Sequence, residues 1–404
     1  MKEIVNKWKS TNLILKILCG ILIGAVLGLV VPGATPIGYL GTLFVSTLKA
    51  IAPILVFVLV MSSISKAGSG IGAKFTNVIV LYMLSTFIAA FLAVMVHYLL
   101  PLTVTLAQTT TESTAPQSLS EIFENLLSNI VENPVNALAG GNYLGILFWA
   151  VVIGLGLKMT KDETVIHLVE VFSNTISTVV GWVIQCAPFG IMGVVFTAVS
   201  TNGLSIFTAY GKLILELVGT MLIVMLVANP LIMFLCTREN PYPLIFTCIR
   251  ESAVSAFFTR SSAANIPINM ALCEKLGLDR EFYSVSIPLG STINMDGAAV
   301  VITIMSLTLA NTLGIQVPIP MAILLAIIST LGACGTSGVA GGSLLLIPMA
   351  CSLLGISGEV SMQMVAVGFV ISVIQDSMET ALNSSSDVAF TATAERMTTK
   401  RIRS

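Results

Sequence analysis

Apolar stretches long enough to cross a lipid bilayer recur along almost the whole chain, and they limit its fold more than any other feature. A membrane-spanning helix needs about 20 mainly apolar residues. Of the 404 residues, 55% are hydrophobic and only 10% are charged, so the chain cannot present the charged surface of a soluble protein. The composition excludes a soluble enzyme, a secreted disulfide-linked protein and a nucleic-acid-binding protein. It predicts an all-α integral membrane protein surrounded by membrane lipid.

The positions of lysine and arginine predict how the chain threads the membrane, because these residues accumulate on the cytoplasmic side. Basic residues precede the first apolar stretch and follow the last, which predicts that both termini are cytoplasmic. No lysine or arginine occurs in 75–157 or in 281–395. Eight spanning helices are predicted, at 13–31, 40–64, 78–100, 143–157, 175–199, 213–235, 282–313 and 362–394.

Two further apolar stretches predict re-entrant hairpins, which enter the membrane and leave it on the same side. Stretch 244–272 has basic residues near both ends, and its polar centre at 259–265 is followed by Pro267, a helix breaker. Stretch 319–355 has a glycine-rich centre, which disfavours a continuous helix, and we expect it to enter from outside. A hairpin followed by a broken helix would then occur twice in opposite orientation, as in secondary transporters built from inverted repeats.

Charged residues inside apolar helices are costly and usually belong to a functional site. Asp376, Thr380, Asn383 and Asp387 recur at helical spacing in the last predicted helix and therefore share one face. Carboxylates crowded on a buried face repel one another unless a cation lies between them. Carboxylate, amide and carbonyl oxygens are the ligands that hard cations prefer, and the pattern favours sodium as the coupling ion.

Two further polar clusters interrupt apolar segments. Pro288 and Gly290 precede Asn294 and Asp296, which predicts that this helix is unwound near its centre and exposes backbone carbonyls. Arg260 and the serines beside it lie at the tip of the first predicted hairpin, where two half-helices meet. The N–H groups at a helix N-terminus suit an anion such as the carboxylate of an amino acid.

The remaining polar residues of the apolar segments predict no separate site. The seven cysteines show no CxxC spacing, which favours neither a metal site nor a disulfide framework. We expect no organic cofactor. His97 and His167 lie near predicted membrane borders and are expected to be solvated, whereas Glu216 is a lone charge that either pairs or reaches the interface.

Four ordered motifs resemble the signatures of the dicarboxylate/amino acid:cation symporter family, and the resemblance covers residues 13–398. The motifs are Thr259-Arg260-Ser261-Ser262, Asn294-Met295-Asp296-Gly297, the glycine-rich stretch 335–342, and the set Asp376, Thr380, Asn383 and Asp387. The resemblance implies a homotrimeric, sodium-coupled carrier that works as an elevator. It implies a scaffold formed by 1–75 (helices 1 and 2) and 101–209 (an outer segment with helices 4 and 5). The mobile transport domain would comprise 76–100 (helix 3) and 210–404 (helix 6, both hairpins, helices 7 and 8, and a basic tail).

The same resemblance implies which residues bind sodium and substrate. One sodium site would use Gly290, Asn294, Asn383 and Asp387. A second would use Thr292 with carbonyls near Ala333, Cys334 and Thr336. A third would use Tyr82, Ser85, Thr86, Asn294 and Asp296. The substrate would contact Ser262, Val339, Asp376, Thr380 and Asn383, with Asp376 taking the α-ammonium group.

Departures from the family's acidic-amino-acid carriers point to a small neutral substrate. Those carriers have an arginine three residues after the aspartate that corresponds to Asp376, whereas this chain has Glu379. Glu379 cannot bind a substrate carboxylate, and it either accepts a hydrogen bond from a substrate hydroxyl or pairs with Arg260. The other departures are Ala298, Ala263 and Ser372. We therefore expect import of serine or threonine, driven by sodium, across the cytoplasmic (inner) membrane.

Three alternatives remain open. The chain could be a sodium- or proton-coupled carrier of acidic amino acids or dicarboxylates. Gly335-Thr336-Ser337-Gly338 matches a serine-protease motif, but no histidine follows Ser337 to act as its base, and an aspartyl pair of Asp296 and Asp376 is compatible with the spacing. A passive channel would equilibrate its substrate instead of accumulating it. We expect a transporter rather than an enzyme.

Overall fold

The computed structural model describes residues 13–66, 73–106, 131–334, 336 and 341–403. All secondary structure in the described residues is helical, which confirms the predicted all-α class. The helices are numbered here in chain order. They begin with α1 Leu13–Val30, α2 Pro36–Lys66, α3 Ala73–Leu99, α4 Pro134–Gly140, α5 Tyr143–Thr160, α6 Glu163–Gln185, α7 Ala187–Asn202, α8 Ser205–Ile223 and α9 Asn229–Thr237. They continue with α10 Tyr242–Cys248, α11 Val254–Thr259, α12 Ser262–Lys275, α13 Arg280–Ile293, α14 Asp296–Thr312, α15 Ile319–Ala333, α16 Ile347–Leu353 and α17 Gly358–Arg403.

Among the described residues, six helical segments are long and apolar enough to cross a membrane. They are Pro36–Lys66, Lys74–Leu99, Glu163–Gln185, Phe207–Thr237, Arg280–Thr312 and Gly358–Thr398. The shorter apolar helices α1 and α5 overlap two more of the predicted spans. Large apolar side chains on α1 and α6 are exposed, as lipid-facing or subunit-facing helices require. The chain is therefore a multi-pass membrane protein.

Helix α1 packs against α7 through a row of glycines spaced four residues apart. A Cβ atom added at Gly20 would lie 2.3 Å from the Pro188 carbonyl oxygen, and one at Gly24 would lie 2.4 Å from that of Met192. Side-chain carbons do not come this close to oxygen, so only glycine lets the two backbones approach. Such small-residue rows drive helix association in lipid, where burial of apolar surface gives no advantage.

Replacing one of these glycines should destabilise the protein. Gly24→Leu is expected to push α1 away from α7 and to lower the free energy of unfolding by about 1–3 kcal/mol. Thermal unfolding of the detergent-solubilised protein measures the loss. Gly156→Leu in α5 is the matched control, because a Cβ atom there meets nothing within 4 Å. Equal stability of the two variants would contradict the packing argument.

One span that was expected to be a continuous helix is divided in the structure. The stretch 175–199 forms parts of α6 and α7, which meet at Cys186. Pro188 follows two residues later, and its missing N–H removes one hydrogen bond from the helix at this point. Each of the other predicted spans overlaps a helix.

The first predicted hairpin consists of two helical arms that reverse at Arg260 and Ser261. Arg260 ends α11 with a left-handed backbone (φ 52°), and Ser261 is extended. The Ser261 hydroxyl oxygen caps α12 by accepting the N–H of Ala264 at 3.2 Å. The expected break at Pro267 does not occur, because Pro267 lies inside α12 and the cap sets the reversal earlier.

The second predicted hairpin has arms formed by α15 and by Ser343–Leu346 with α16, and the arms pack against each other. Its tip residues Gly335 and 337–340 lie outside the described residues. The expected broken helix after this hairpin is wrong, since α17 runs without interruption from Gly358 to Arg403. No proline or glycine follows Gly368, so nothing in the sequence opposes a continuous helix there.

Helices α3, α14 and α17 form the centre of the half of the molecule that contains both hairpins. Helix α3 packs against α14, α15 and α17, and α14 is buried along residues 296–310. Helices α1, α2, α5, α6 and α7 form a second group, in which α1 packs against α7 and α2 packs against α5, α6 and α7. Polar residues on α3, α14 and α17 therefore meet in the protein interior.

Candidate functional site

The polar interior is organised around the break between α13 and α14, which confirms the unwinding predicted for this segment. Asn294 and Met295 have non-helical backbone angles (ψ 84° and ψ 51°). The first N–H groups of a helix have no hydrogen-bond acceptor within that helix. Here, side chains from other helices provide the acceptors. Thr86 of α3 accepts the Met295 N–H at 3.3 Å, and Asn383 of α17 accepts the Gly297 N–H at 2.7 Å.

Asp296 is fully buried and collects three hydrogen bonds from two other helices. The Ser85 and Thr86 hydroxyls of α3 donate to Oδ1 at 2.9 Å and 3.2 Å. The Asn229 amide of α9 donates to Oδ2 at 2.9 Å. Ser85 also contacts Asn294 Oδ1 at 3.3 Å. Of the residues expected at the third sodium site, Ser85, Thr86, Asn294 and Asp296 are thus brought together.

Asn229 was missed by the sequence reasoning, although an amide followed by proline inside an apolar run is a recognisable signal. A π-helical turn at Val224–Ala228 precedes it and shifts the helix phase by one residue. Pro230 cannot donate to the Leu226 carbonyl, and the Tyr242 hydroxyl donates to it instead at 3.2 Å. The shifted phase directs Asn229 at Asp296.

Asp387 of α17 lies on the other side of Asn294. The Asn294 amide donates to Asp387 Oδ1 at 2.9 Å and to the Asn383 carbonyl at 3.3 Å. Asp387 Oδ2 is buried and has no hydrogen-bond partner among the described residues. A Cβ atom at Gly290 would lie 2.6 Å from Asp387 Oδ1, so glycine is needed for this approach. All four residues expected at the first sodium site therefore converge.

Tyr82 lies beside Asp387 rather than beside Asp296. Its hydroxyl contacts the carbonyls of Ser286 and Asp387, both at 3.2 Å, and the Thr391 hydroxyl at 3.0 Å. The residues expected at the third sodium site therefore do not all surround one carboxylate in this conformation. Tyr82 joins α3, α13 and α17 next to the first site.

The residues expected at the second sodium site are held by local contacts. The Thr292 hydroxyl donates to the Leu289 carbonyl of its own helix at 2.7 Å, and Thr336 donates to Ala333 at 2.8 Å. Cys334 joins the two segments, because its thiol contacts the Ile293 carbonyl at 3.5 Å. The end of α15 therefore lies against the end of α13, next to the α13–α14 break.

Asp376 forms a buried ion pair with Arg260 at the tip of the first hairpin. Arg260 Nη2 and Nε lie 2.6 Å and 2.7 Å from Asp376 Oδ2. The N–H of Gly341 from the second hairpin donates to Asp376 Oδ1 at 3.2 Å. One carboxylate thus joins both hairpins to α17. Arg260 thus forms its ion pair with Asp376 rather than with Glu379, and the role of Glu379 stays a prediction.

Glu379 faces the second hairpin. Its Oε2 accepts the Ser343 hydroxyl at 2.7 Å and also the Gln375 amide. A Cβ atom at Gly297 would lie 2.8 Å from the Glu379 Cα, so α14 and α17 nearly touch here. The carboxylate is buried one helical turn from Asp376.

The other residues expected to bind substrate lie near Asp376 or outside the described residues. Ser262 is buried at the start of α12. Thr380 is also buried, and its hydroxyl donates a hydrogen bond to the Asp376 carbonyl at 2.7 Å. Asn383, on the same face of α17 as Asp376, contacts the α13–α14 break by accepting the Gly297 N–H. Val339 lies outside the described residues.

A cluster of buried amides and hydroxyls holds the first hairpin to α17. Asn265 and Asn269 donate to the Ser384 hydroxyl at 2.8 Å and 3.1 Å, and Asn269 also reaches the Ser384 carbonyl. Ser252 on the other arm donates to Asn269 Oδ1 at 2.6 Å. The sequence reasoning missed this cluster, although Asn265 and Asn269 lie one helical turn apart on either side of the apolar stretch 266–268.

The two histidines have different environments. His167 is exposed, as expected from its position near a predicted membrane border. The same expectation is wrong for His97, which is buried and lies 2.8 Å from Glu216 Oε1. Glu216 pairs, which was one of the two roles expected for it.

The charges of the site favour a cation. Asp296 and Asp387 are both fully buried, and none of the basic residues in the described ranges lies within ion-pair distance of either. Two uncompensated carboxylates in a low-dielectric interior are strongly unfavourable. The surrounding amide, hydroxyl and carbonyl groups supply oxygen ligands, and Asp387 Oδ2 and Asn229 Oδ1 are buried oxygens without a described partner. This donor set suits a hard cation such as sodium.

Comparison with known proteins agrees with this chemistry. A serine/threonine transporter SstT of Bifidobacterium adolescentis is 56% identical over 395 residues, covering 98% of this chain and 92% of the relative. One of Streptococcus agalactiae serotype III is 54% identical over 397 residues, covering 98% of both chains. These relatives are transporters and not enzymes, which confirms the expectation of a transporter. The profile of the sodium:dicarboxylate symporter family matches residues 13–397, and the chain belongs to this family.

Proposed function

We propose that the protein is a secondary active symporter that imports serine and threonine across the cytoplasmic membrane, driven by the sodium gradient. The observation that carries sodium coupling is the pair of buried carboxylates, Asp296 and Asp387, bridged by Asn294 and lacking a described basic partner. The names of the similar transporters support the substrate.

The zwitterionic substrate needs a counter-charge at each end. Asp376 is the proposed partner of the ammonium group, and the N-terminus of α12, beginning at Ser262, is the proposed partner of the carboxylate. The buried Arg260–Asp376 pair supports this assignment, since this carboxylate already pairs with a cationic group. An entering ammonium group would replace the guanidinium on Asp376.

The proposed sodium ligands are those that the family resemblance implies. The cluster of Gly290, Asn294, Asn383 and Asp387 is supported by contacts among all four, and the cluster at Asp296 is supported by Ser85, Thr86 and Asn294. The site of Thr292 and Thr336 is supported by the contact of Cys334 with Ile293. We add Asn229 to the Asp296 site, because its amide already contacts that carboxylate.

The architecture we propose has eight spanning helices and two opposed re-entrant hairpins in a homotrimer that works as an elevator. The separate packing of α2 with α5–α7 and of α3 with α14, α15 and α17 supports a scaffold (1–75, 101–209) and a transport domain (76–100, 210–404). The exposed apolar side chains of α1 and α6 support a subunit interface.

We propose that both termini are cytoplasmic. The contacts Lys74–Asp279 at 2.8 Å and Glu239–Arg396 at 3.4 Å support this orientation. They gather the charged ends of α3, α13, α9 and α17 on one side of the molecule. A basic and acidic rim of this kind belongs at a membrane surface, and lysine and arginine favour the cytoplasmic one.

The selectivity for a neutral substrate should depend on Glu379. A carboxylate one turn from Asp376 repels the side chain of aspartate or glutamate. Glu379→Gln keeps the shape and removes the charge, and it is expected to raise the affinity for aspartate relative to serine by about tenfold or more. Isothermal titration with both amino acids in sodium measures the ratio.

Ser343→Ala is the matched control for this prediction. It removes the hydrogen bond to Glu379 but leaves the charge in place. The ratio of aspartate to serine affinity should then stay near that of the parent protein. An unchanged ratio in Glu379→Gln would contradict a selective role for Glu379.

The alternative substrate is a dicarboxylate, which the description of the family favours. Proteoliposomes loaded without substrate separate the alternatives. We expect labelled serine to accumulate above its external concentration when sodium is higher outside, with threonine competing and aspartate not. Accumulation of aspartate alone would favour the alternative, and equilibration without accumulation would indicate a channel.

A further inference from the structure

A groove on the surface of the protein lies outside the sites described above. It runs between α9, with the π-helical turn before it, and the start of α10, and it encloses about 420 Å³. Small-molecule sites typically enclose about 300–1,000 Å³. Val227, Leu231 and Phe234 line one side, Pro241 and Tyr242 line the other, and Asn240 lies at one end. Apart from the Asn240 amide and the Tyr242 hydroxyl, every side chain of the lining is apolar.

The groove faces the lipid of the membrane. Val227, Leu231 and Phe234 belong to the membrane-spanning segment Phe207–Thr237, and their side chains are 56%, 53% and 42% exposed. The hydrocarbon core of the bilayer surrounds such a segment, so its exposed apolar side chains contact acyl chains. An acyl chain is therefore the group available to fill the apolar part of the groove.

Tyr242 forms the wall opposite α9 and is held by two contacts. Its hydroxyl donates to the Leu226 carbonyl at 3.2 Å, so this polar atom already has a partner. Its ring stacks on that of Phe246, with 6.1 Å between the ring centroids and 29° between the ring planes. Tyrosine is common where a spanning helix meets the membrane surface, because its ring is apolar and its hydroxyl is polar. This wall suits the boundary between acyl chains and headgroups.

One end of the groove carries a positive charge. Arg238 follows α9 directly and is exposed, and its N–H donates to the Phe234 carbonyl at 2.7 Å, which places its backbone at this end. In the part of the chain that the structure describes, none of the ion pairs includes Arg238. The neighbouring carboxylate, that of Glu239, lies 3.4 Å from Arg396 Nη1, which balances its charge. Two positive side chains and one negative side chain leave a net positive charge here.

The same end of the groove offers hydrogen-bond donors that suit a phosphate group. The Arg238 guanidinium can donate paired hydrogen bonds to phosphate oxygens. Asn240 Oδ1 accepts the Tyr242 N–H at 3.1 Å, and its Nδ2 donates in none of the hydrogen bonds among the described residues. The net positive charge favours a lipid headgroup that is negative over one that is zwitterionic. Acyl-chain and phosphate binding therefore meet in one groove, as a phospholipid requires.

We propose that the groove between α9 and α10 binds one anionic phospholipid, with its phosphate at Arg238 and Asn240 and an acyl chain along Leu231 and Phe234. Arg238 selects for the negative headgroup, and the apolar walls hold the chain. The inference does not depend on the proposed transport activity, because lipid binding is measured on the purified protein without substrate.

The first test measures lipid affinity by native mass spectrometry of the detergent-solubilised protein. One phosphatidylglycerol per chain should bind about fivefold more tightly than phosphatidylcholine with the same acyl chains. Arg238→Gln should lower the phosphatidylglycerol affinity by about fivefold and leave the phosphatidylcholine affinity unchanged, because it removes the charge and keeps the groove. Arg280→Gln is the matched control, since Arg280 is an exposed arginine at the start of α13, outside the groove. Equal phosphatidylglycerol affinity in Arg238→Gln and in the parent protein would overturn the proposal.

The second test locates the lipid in the groove. Phe234→Trp places an indole in the lining, and its fluorescence is quenched by brominated acyl chains that lie beside it. In phosphatidylcholine vesicles, a small fraction of brominated phosphatidylglycerol should quench this indole about twofold or more as strongly as the same fraction of brominated phosphatidylcholine. The parent protein, with its three tryptophans, gives the background.

Leu215→Trp is the matched control for the quenching experiment. Leu215 is 73% exposed on α8 and lies outside the groove, so the two brominated lipids should quench the indole there alike. Equal quenching by the two lipids in Phe234→Trp would overturn the proposal, because the groove would then not select an anionic headgroup.

Discussion

Asp387→Asn is expected to abolish sodium-driven serine uptake while leaving a folded protein in the membrane. The variant keeps the shape and removes one of the two buried charges that lack a described basic partner. Loss of a buried charge partner costs about 3–5 kcal/mol, which is about a hundredfold or more in sodium affinity. Sodium-dependent thermal stabilisation of the purified protein measures this loss directly. Asn383→Ala, which removes the acceptor of the Gly297 N–H, should act in the same direction.

Glu281→Gln is the control for the loss of a carboxylate. Glu281 lies in the exposed first turn of α13, so its replacement removes the same charge from the protein surface. Sodium should stabilise this variant as it stabilises the parent protein. If sodium stabilised Asp387→Asn as much as the parent protein, Asp387 would not be a sodium ligand.

Asp376→Asn is expected to lose serine binding with little change in sodium binding. The substrate ammonium then lacks its counter-charge in a buried site, and Arg260 becomes an unpaired buried cation that repels the ammonium. Truncating one partner of a buried charge pair costs about 2–5 kcal/mol, about 30-fold to several thousandfold in Kd. Isothermal titration with serine at saturating sodium measures the change.

Ser377→Ala tests whether the effect belongs to Asp376 or to the helix. The Ser377 hydroxyl donates to the Val373 carbonyl of α17 at 2.7 Å, so its loss alters the same helix without touching the charge pair. Serine affinity should stay close to that of the parent protein. Equal serine affinity in Asp376→Asn would show that this carboxylate does not hold the ammonium group.

The parts of the site that depend on one helix could be predicted from the sequence. Asp376 and Asp387 share a face because helical periodicity places them there, and α17 keeps that periodicity over its whole length. The break at Asn294 and Met295 was predicted from Pro288 and Gly290 before it, and the structure confirms it. Local composition determines both features.

Contacts between distant helices could not be predicted in the same way. Arg260 pairs with Asp376, whereas the sequence suggested only Glu379, one turn away, as a partner for it. Asn229 reaches Asp296 because a π-helical turn changes the phase of its helix, which an ideal repeat does not describe. The burial of His97 depends on Glu216, which is 119 residues away in the chain.

Coupling between sodium and serine is the central claim, and the sodium dependence of serine affinity tests it most directly. If the carboxylates around Asn294 bind sodium and stabilise the substrate site beside them, each ligand must strengthen the binding of the other. With one coupled ion, serine affinity measured by isothermal titration should rise by about tenfold for each tenfold increase in sodium below saturation. Potassium at equal ionic strength should not replace sodium. A serine affinity that does not change with sodium concentration would contradict the account.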